Sequence, residues 1–432
     1  MLDRHRESCL AVGRGLLAAS FLLPAGPATG AAPNPCGNRF FKDLDPNLKG
    51  ESKGITSPRF MRRMWIHDGF LLVLIQQGGY EGRFLSLYRV RGRGPNEWQH
   101  VGNVAGSSDL DQYLSGDGFL LPSGDLILVV SSRQALFVAD VQLVRYAYQG
   151  RGSWTRDPRS PVTVAPSSET LRRFNATIAL DSRKRLFVSY VEIDGEAFAV
   201  RYSYSHDGLD WVQGDEVFSI WDGHVRKSAR VSPVRIGGED AMALVYYDQD
   251  SAGEFLRWSY RLDSTIDPDA GWTPVDGAGL IRAVPASHPS MYRHWSVARD
   301  GQGGLHLSWE ELDGIYYSRF DGDPQAGWSA PRFLVDGVYS NVTTSLRDGE
   351  SYVYVVADNR QNAVVGAAYD PVVQDWTPFY EIGAGGRGPS RRASSPEQFV
   401  GGDGSRLPVL FQNENVAAPP TQLLFSVLLD CR

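Results

Sequence analysis

The chain has 432 residues, a formal net charge of −7 and 11% aromatic side chains. That composition excludes a disordered protein, and with no Lys/Arg-dense block nucleic acid is a poor partner. Length alone would allow two or three domains, but an internal repeat overrides that prior.

Residues 1–31 read as a secretion signal. Arg4, Arg6 and Arg14 precede the apolar run 16–23, and small residues follow through Ala28, Gly30 and Ala31. That run is far too short to cross a bilayer. A secreted or periplasmic protein without a membrane span is expected, its mature part 32–432 forming one domain.

Six tryptophans, Trp98, Trp154, Trp211, Trp272, Trp328 and Trp376, recur at intervals of about 50–60 residues, a period that points to propeller blades or a comparable array. Each closes the same unit: an alternating strand, a Gly/Asp turn, an apolar strand, a Tyr-rich strand, then the Trp turn. Second strands are predicted at 71–75, 126–130, 186–190, 243–247, 305–309, 352–356 and 407–411. Third strands are predicted at 85–90, 144–148, 200–204, 256–260, 315–320, 364–369 and 423–428. The resulting expectation is an all-β, seven-bladed propeller of four-stranded antiparallel blades. Six blades with an extra sheet is the alternative.

The last unit ends after its third strand. Residues 38–45 (NRFFKDLD) precede the first unit and have nothing else to pair with, so they are placed as the missing outer strand. Such closure removes a sheet edge that would otherwise invite aggregation. Cys9 leaves with the signal, while Cys36 and Cys431 remain at the two joined ends. In an oxidising compartment these are expected to form a disulfide; two free terminal thiols is the competing reading.

Antiparallel blades sort their turns onto two faces. Turns between third and fourth strands lie at the periphery of one. The other collects the links between blades and the turns between second and third strands. The links carry Arg59, Arg62 and Arg63; Asp109, Asp111 and Gln112; Arg172, Arg173 and Asn175; Arg226, Lys227 and Arg230; Tyr292, Arg293 and His294; Asn341; and Glu397 and Gln398. The turns carry Glu192, Asp194 and Glu196; Asp248, Asp250 and Glu254; and Glu310, Glu311 and Asp313. A mouth with central arginines and a carboxylate rim suits an acidic glycan, because guanidinium groups hold carboxylates in bidentate fashion and a carboxylic acid can protonate a leaving oxygen. The competing reading is that these arginines plug the channel through ordinary salt bridges.

The stretch 202–211, YSYSHDGLDW, holds Ser205-x-Asp207-Gly208-x-x-Trp211 and resembles the Asp-box hairpin of sialidases and many bacterial propellers. Degraded copies recur at the other Trp turns. Asp207 is expected to be structural: it and Ser205 hydrogen-bond the turn, and Gly208 takes positive φ. The resemblance implies a propeller handling glycans or other extracellular ligands. Sialidases are six-bladed and carry a Phe/Tyr-Arg-Ile-Pro motif, from which Ser57-Pro58-Arg59-Phe60 departs. Seven-bladed polysaccharide lyases are the closer architectural likeness, and their chemistry needs a His or Tyr base beside a neutralised carboxylate.

The expected site follows. Tyr292, His294 and Glu310 are the catalytic candidates, and Arg59, Arg173, Asn175, Arg230 and Arg293 the substrate-binding ones. The function expected is a polysaccharide lyase or glycosidase acting on an acidic oligo- or polysaccharide, with a non-catalytic lectin-like or protein-binding scaffold as the alternative. A monomer with no cofactor is expected. Asp248-x-Asp250-x-x-Gly253-Glu254 resembles a structural calcium loop but lacks the EF-hand spacing, so an ordinary acidic turn competes with it. Asn175 and Asn341 open N-glycosylation sequons.

Overall fold

The computed structural model describes residues 32–33, 38–43, 61–79, 82–91, 98–107, 114–132, 140–195, 197–220, 228–249, 253–265, 272–273, 279–285, 294–347, 349–361, 363–371, 373–384, 390–399, 407–413 and 421–427. These lie within a compact unit, Ala31–Arg432. Every regular element among them is a strand, and no helix is long and apolar enough to cross a membrane.

After β1 (Ala32–Pro33) and β2 (Asn38–Asp43) the chain runs as successive antiparallel meanders. The first is a four-stranded sheet of β3 (Met64–His67), β4 (Phe70–Gly79), β5 (Gly82–Arg91) and β6 (Gln99–Ser107). Next come β7 (Leu114–Leu120), β8 (Leu126–Ser132) and β9 (Val141–Gly150), with β10 (Ser153–Arg156) and β11 (Val162–Ala165) both on the edge of β9. The meander β12 (Leu171–Leu180), β13 (Leu186–Asp194), β14 (Ala197–Ser205) and β15 (Val212–Ile220) joins this one through a lone parallel pair, Phe174–Ser132.

Two four-stranded sheets follow: β16 (Ser228–Ile236), β17 (Glu239–Gln249), β18 (Gly253–Leu262) and β19 (Gly279–Pro285), then β20 (Trp295–Arg299), β21 (Leu305–Glu311), β22 (Gly314–Phe320) and β23 (Arg332–Val335). The next sheet holds β24 (Gly337–Arg347), β25 (Glu350–Asn359), β26 (Ala363–Asp370), β27 (Asp375–Trp376) and β28 (Tyr380–Ala384), flanked by β1 outside and β30 (Gln398–Phe399) inside. In the last sheet β29 (Ser390–Ser394), β31 (Leu407–Asn413) and β32 (Thr421–Val427) stand in the order β2-β32-β31-β29. The N-terminal segment therefore takes the outer place expected of it, Asn38 opposite Val427 and Asp43 opposite Leu423. Cys36 and Cys431 lie outside the described residues.

The cores lie between consecutive sheets, and each turn tryptophan packs backward onto the preceding sheet as well as onto its own. Trp154 joins Trp65, Leu72 and Leu87 of the first sheet. Trp211 meets Phe119, Ile127 and Leu143, Trp272 meets Phe187 and Tyr202, and Trp328 meets Trp258 and Phe320. Losing such an indole costs about 3–5 kcal/mol, so the repeat spacing marks the wedges that hold sheet to sheet.

The hairpin from β14 to β15 shows the local physics. Ser205 Oγ accepts the Gly208 amide at 2.8 Å, and Asp207 Oδ1 accepts those of Leu209 (2.8 Å) and Asp210 (3.0 Å). Gly208 sits at φ +76°, where a Cβ would be strained. The amides of Asp210 and Leu209 hold the Asp207 carboxyl below its ordinary value.

The first strands follow one another along the inside: β7 lies against β12, β12 against β16, β16 against β20, β20 against β24, β24 against β29, and β3 meets β30. Side-chain hydrogen bonds between neighbouring meanders stitch them. Trp65 Nε1 donates to Gly118 O at 3.2 Å, the Ala176 amide to Ser131 Oγ at 3.1 Å, and the Val231 amide to Thr177 Oγ1 at 3.2 Å. Trp295 Nε1 donates to Ser228 Oγ at 2.9 Å, and Ser395 Oγ to Asn341 Oδ1 at 2.7 Å.

Candidate functional site

His294 ends the link into β20, and Glu310 and Glu311 end β21. Successive side chains of a strand point to opposite faces, which sends the two adjacent glutamates to different neighbours. Glu311 faces β19, where Arg282 Nε and Nη2 grip its two oxygens at 2.7 and 2.8 Å and Trp309 Nε1 donates to it at 2.8 Å. Glu310 faces β24, and its Oε2 accepts the Tyr339 amide at 3.0 Å.

The same Oε2 lies 2.7 Å from His294 Nδ1, with the imidazole side chain 25% exposed and the carboxylate 10%. This contact is short but lies off the direction of the ring N–H. The Tyr339 ring meets the imidazole edge-on at 4.4 Å, and the Glu310 amide donates to His294 O at 3.0 Å. Tyr339 is left-handed, φ +58°, within an irregularity of β24 between Val338 and Asn341. A non-glycine residue there costs of order 1–3 kcal/mol and persists only where its surroundings enforce it; here the hydrogen bond from the Tyr339 N–H to Glu310 and the ring contact do so. With Nδ1 2.7 Å from Glu310, Nε2 lies across the ring as the nitrogen left for a bound molecule.

Other sequence candidates are engaged elsewhere. Arg173, on β12, places Nε and Nη2 2.8 Å from Glu192 Oε2, and Arg201 holds the other oxygen of that carboxylate. Asn175 is buried at φ +54°, where the register of β12 shifts between Phe174 and Thr177. Asn341 is buried too, so neither sequon presents its amide to solvent in the folded chain. Arg230 is buried with Nη2 2.7 Å from Glu397 Oε2, which Arg62 Nη1 also reaches at 2.9 Å. Arg62 further binds Asp117 and the Ile178 carbonyl, and the Arg299 amide approaches Glu397 Oε1 at 3.4 Å.

Burial by itself would raise the Glu397 carboxyl. The charges of Arg230 and Arg62, with the Arg299 amide, more than reverse this and hold it below the usual carboxylate range. Burial lowers Arg230.

The carboxylates read as a rim are largely inside: Glu192, Asp248, Glu254, Glu310 and Glu311 are buried. Arginines answer several of them, within the same sheet for Glu192 (Arg173, Arg201) and Asp248 (Arg257) and from the preceding sheet for Glu311 (Arg282). Of the three acids at the turn from β21 to β22, Asp313 is the exposed one; it accepts Tyr316 OH at 2.8 Å, and burial followed by that bond pushes the Tyr316 phenol up to about 12. Arg59, Tyr292, Arg293, Glu196 and Asp250 lie outside the described residues. Among the described residues no group of three or more His, Cys, Asp or Glu could hold a metal. Arg282 and Tyr339 escaped sequence reasoning. Each sits at a strand position whose partner belongs to another sheet, and no local motif marks it.

No protein-family model matches the chain, and no curated protein does. Among solved structures the chain is similar to the polysaccharide lyase Uly1, with a TM-score of 0.52 at 11% identity over 90% of this chain and 94% of that one. An α-L-arabinanase of Penicillium chrysogenum gives 0.48 at 15% identity over 74% and 93%. The NanB sialidase of Streptococcus pneumoniae gives 0.46 at 11% identity over 90% and 70%. The first likeness shows an all-β, propeller-like fold.

Proposed function

We propose that the chain is a seven-bladed β-propeller, completed by β2 against β32, that cleaves an acidic glycan by β-elimination with His294 as base. The blade count is supported by the run of first strands from β3 through β7, β12, β16, β20 and β24 to β29 and β30, and back to β3. Export, and a Cys36–Cys431 bridge sewing the joined ends, belong to the same proposal.

The contact of His294 Nδ1 with Glu310 at 2.7 Å, on a partly exposed ring, carries the catalytic reading. Nε2 takes the proton from the carbon beside the sugar carboxylate. The bond from the neighbouring carbon to the glycosidic oxygen then breaks, and its loss leaves a carbon–carbon double bond. Tyr292 returns a proton to the departing oxygen, and Arg293, with Arg59, neutralises the carboxylate so that the carbanion is tolerable. Glu310 is a positioning residue: its Oε2 already meets His294 and the Tyr339 amide, which disfavours it as the acid of a hydrolase. Arg173, Asn175 and Arg230 shape the scaffold beneath the mouth.

Uronate-containing polymers incubated with the protein should yield the ultraviolet absorbance of unsaturated ends, and His294→Ala should remove it. Silence across a broad uronate panel overturns the lyase reading. Glycan binding without any product would then favour the lectin-like alternative.

A further inference from the structure

A groove of about 310 Å³, lined by none of His294, Glu310 and Tyr339, opens between the outer strands of two adjacent sheets, walled by Phe333 and Leu334 of β23 and by Trp376, Pro378 and Phe379 at and after β27. We propose that this groove binds a neutral pyranose unit of a glycan, as a site separate from the His294 chemistry.

Its volume is at the small end of ligand sites and suits one sugar ring rather than a chain. Phe333 is 48% exposed, yet its ring is held edge-on by Tyr316 at 5.6 Å. An aromatic face that is both open and pre-oriented is what the C–H face of a pyranose stacks upon. Trp376 is fixed in turn by Tyr317, 5.0 Å away edge-on.

Arg332 and Asp375, from the two opposed strands, form an ion pair at the rim with side chains 49% and 61% exposed. Together they present donors and acceptors side by side, the complement of vicinal hydroxyls. The pair sums to zero charge and the remaining walls are uncharged. An anionic sugar would face Asp375 without a spare cation, so the groove favours a neutral one. Because Tyr316 and Tyr317 hold the Phe333 and Trp376 rings, the aromatic walls are set before ligand arrives, which limits the ordering cost of binding.

The test uses the full chain and ligand-observed NMR titrations with methyl β-D-glucopyranoside, methyl β-D-galactopyranoside and sodium glucuronate. A dissociation constant of order millimolar is expected for at least one neutral glycoside, as befits a single ring on an open surface. Phe333→Ala should weaken it about tenfold. Asp375→Asn, at a more exposed position, should weaken it severalfold and guards against a folding defect in the first variant. His294→Ala should leave it unchanged, and glucuronate should not compete. Failure of both neutral glycosides to bind, or binding indifferent to Phe333→Ala and Asp375→Asn, overturns the proposal. Loss of binding in His294→Ala, or competition by glucuronate, would relocate the sugar to the mouth and overturn it equally. Lyase activity, present or absent, bears on none of these outcomes.

Discussion

Glu397 and Glu310 are equally covered, each with a side chain 10% exposed, and each meets a nitrogen near the first strand of its sheet. Glu397 meets two guanidinium groups, Arg62 just before β3 and Arg230 in β16, themselves 9% and 2% exposed. Glu310 meets an imidazole with a quarter of its surface open and a second nitrogen across the ring. Burial of the acid therefore does not separate a fastening from a pair proposed to react. The partner does: a guanidinium stays charged and locked, whereas an imidazole can exchange its proton on the far side.

The comparison breaks most forcefully at Glu397. Glu397→Ala leaves Arg62 and Arg230 buried without their shared counter-charge and should cost about 3–5 kcal/mol, read from urea unfolding. A loss under about 1 kcal/mol would show that water reaches the cluster. Because the folded-state Glu397 carboxyl lies below its unfolded value, its contribution is complete above the unfolded value and disappears as pH falls through the folded one. Melting temperature should thus drop below about pH 4, and more steeply in the wild type than in Glu397→Gln.

In the proposed elimination, His294→Ala should lower the rate about 100-fold or more with the urea midpoint unchanged. A matching loss of stability would assign the pair a structural role. Glu310→Gln keeps the shape but not the charge. We expect roughly a tenfold fall in kcat at constant KM, since the substrate is not touched directly. The smallest effect belongs to the hairpin: Ser205→Ala should remove about 1 kcal/mol through the lost Gly208 bond, measured in the same urea series, with activity intact.

Much of the architecture was legible in single stretches. Runs such as 126–130 and 243–247 lie within β8 and β17, and the Ser205–Trp211 turn closes through bonds among its own neighbours. The pairing of His294 with Glu310 was within reach only as two names on one face, and nothing local indicated Tyr339, whose amide and ring hold the pair. Arg230 was read as a clamp for substrate because a sequence shows that a guanidinium is present, not which acid answers it.

By itself, then, the amino-acid order determined strand, turn and repeat, because alternation, glycine placement and tryptophan spacing act through contacts a few residues apart. Only the tertiary structure decided the fate of each charge. Arg230 and Glu397 stand 167 positions apart, and the stacking of sheets against one another, not any local propensity, brings that guanidinium to that carboxylate and leaves His294 open.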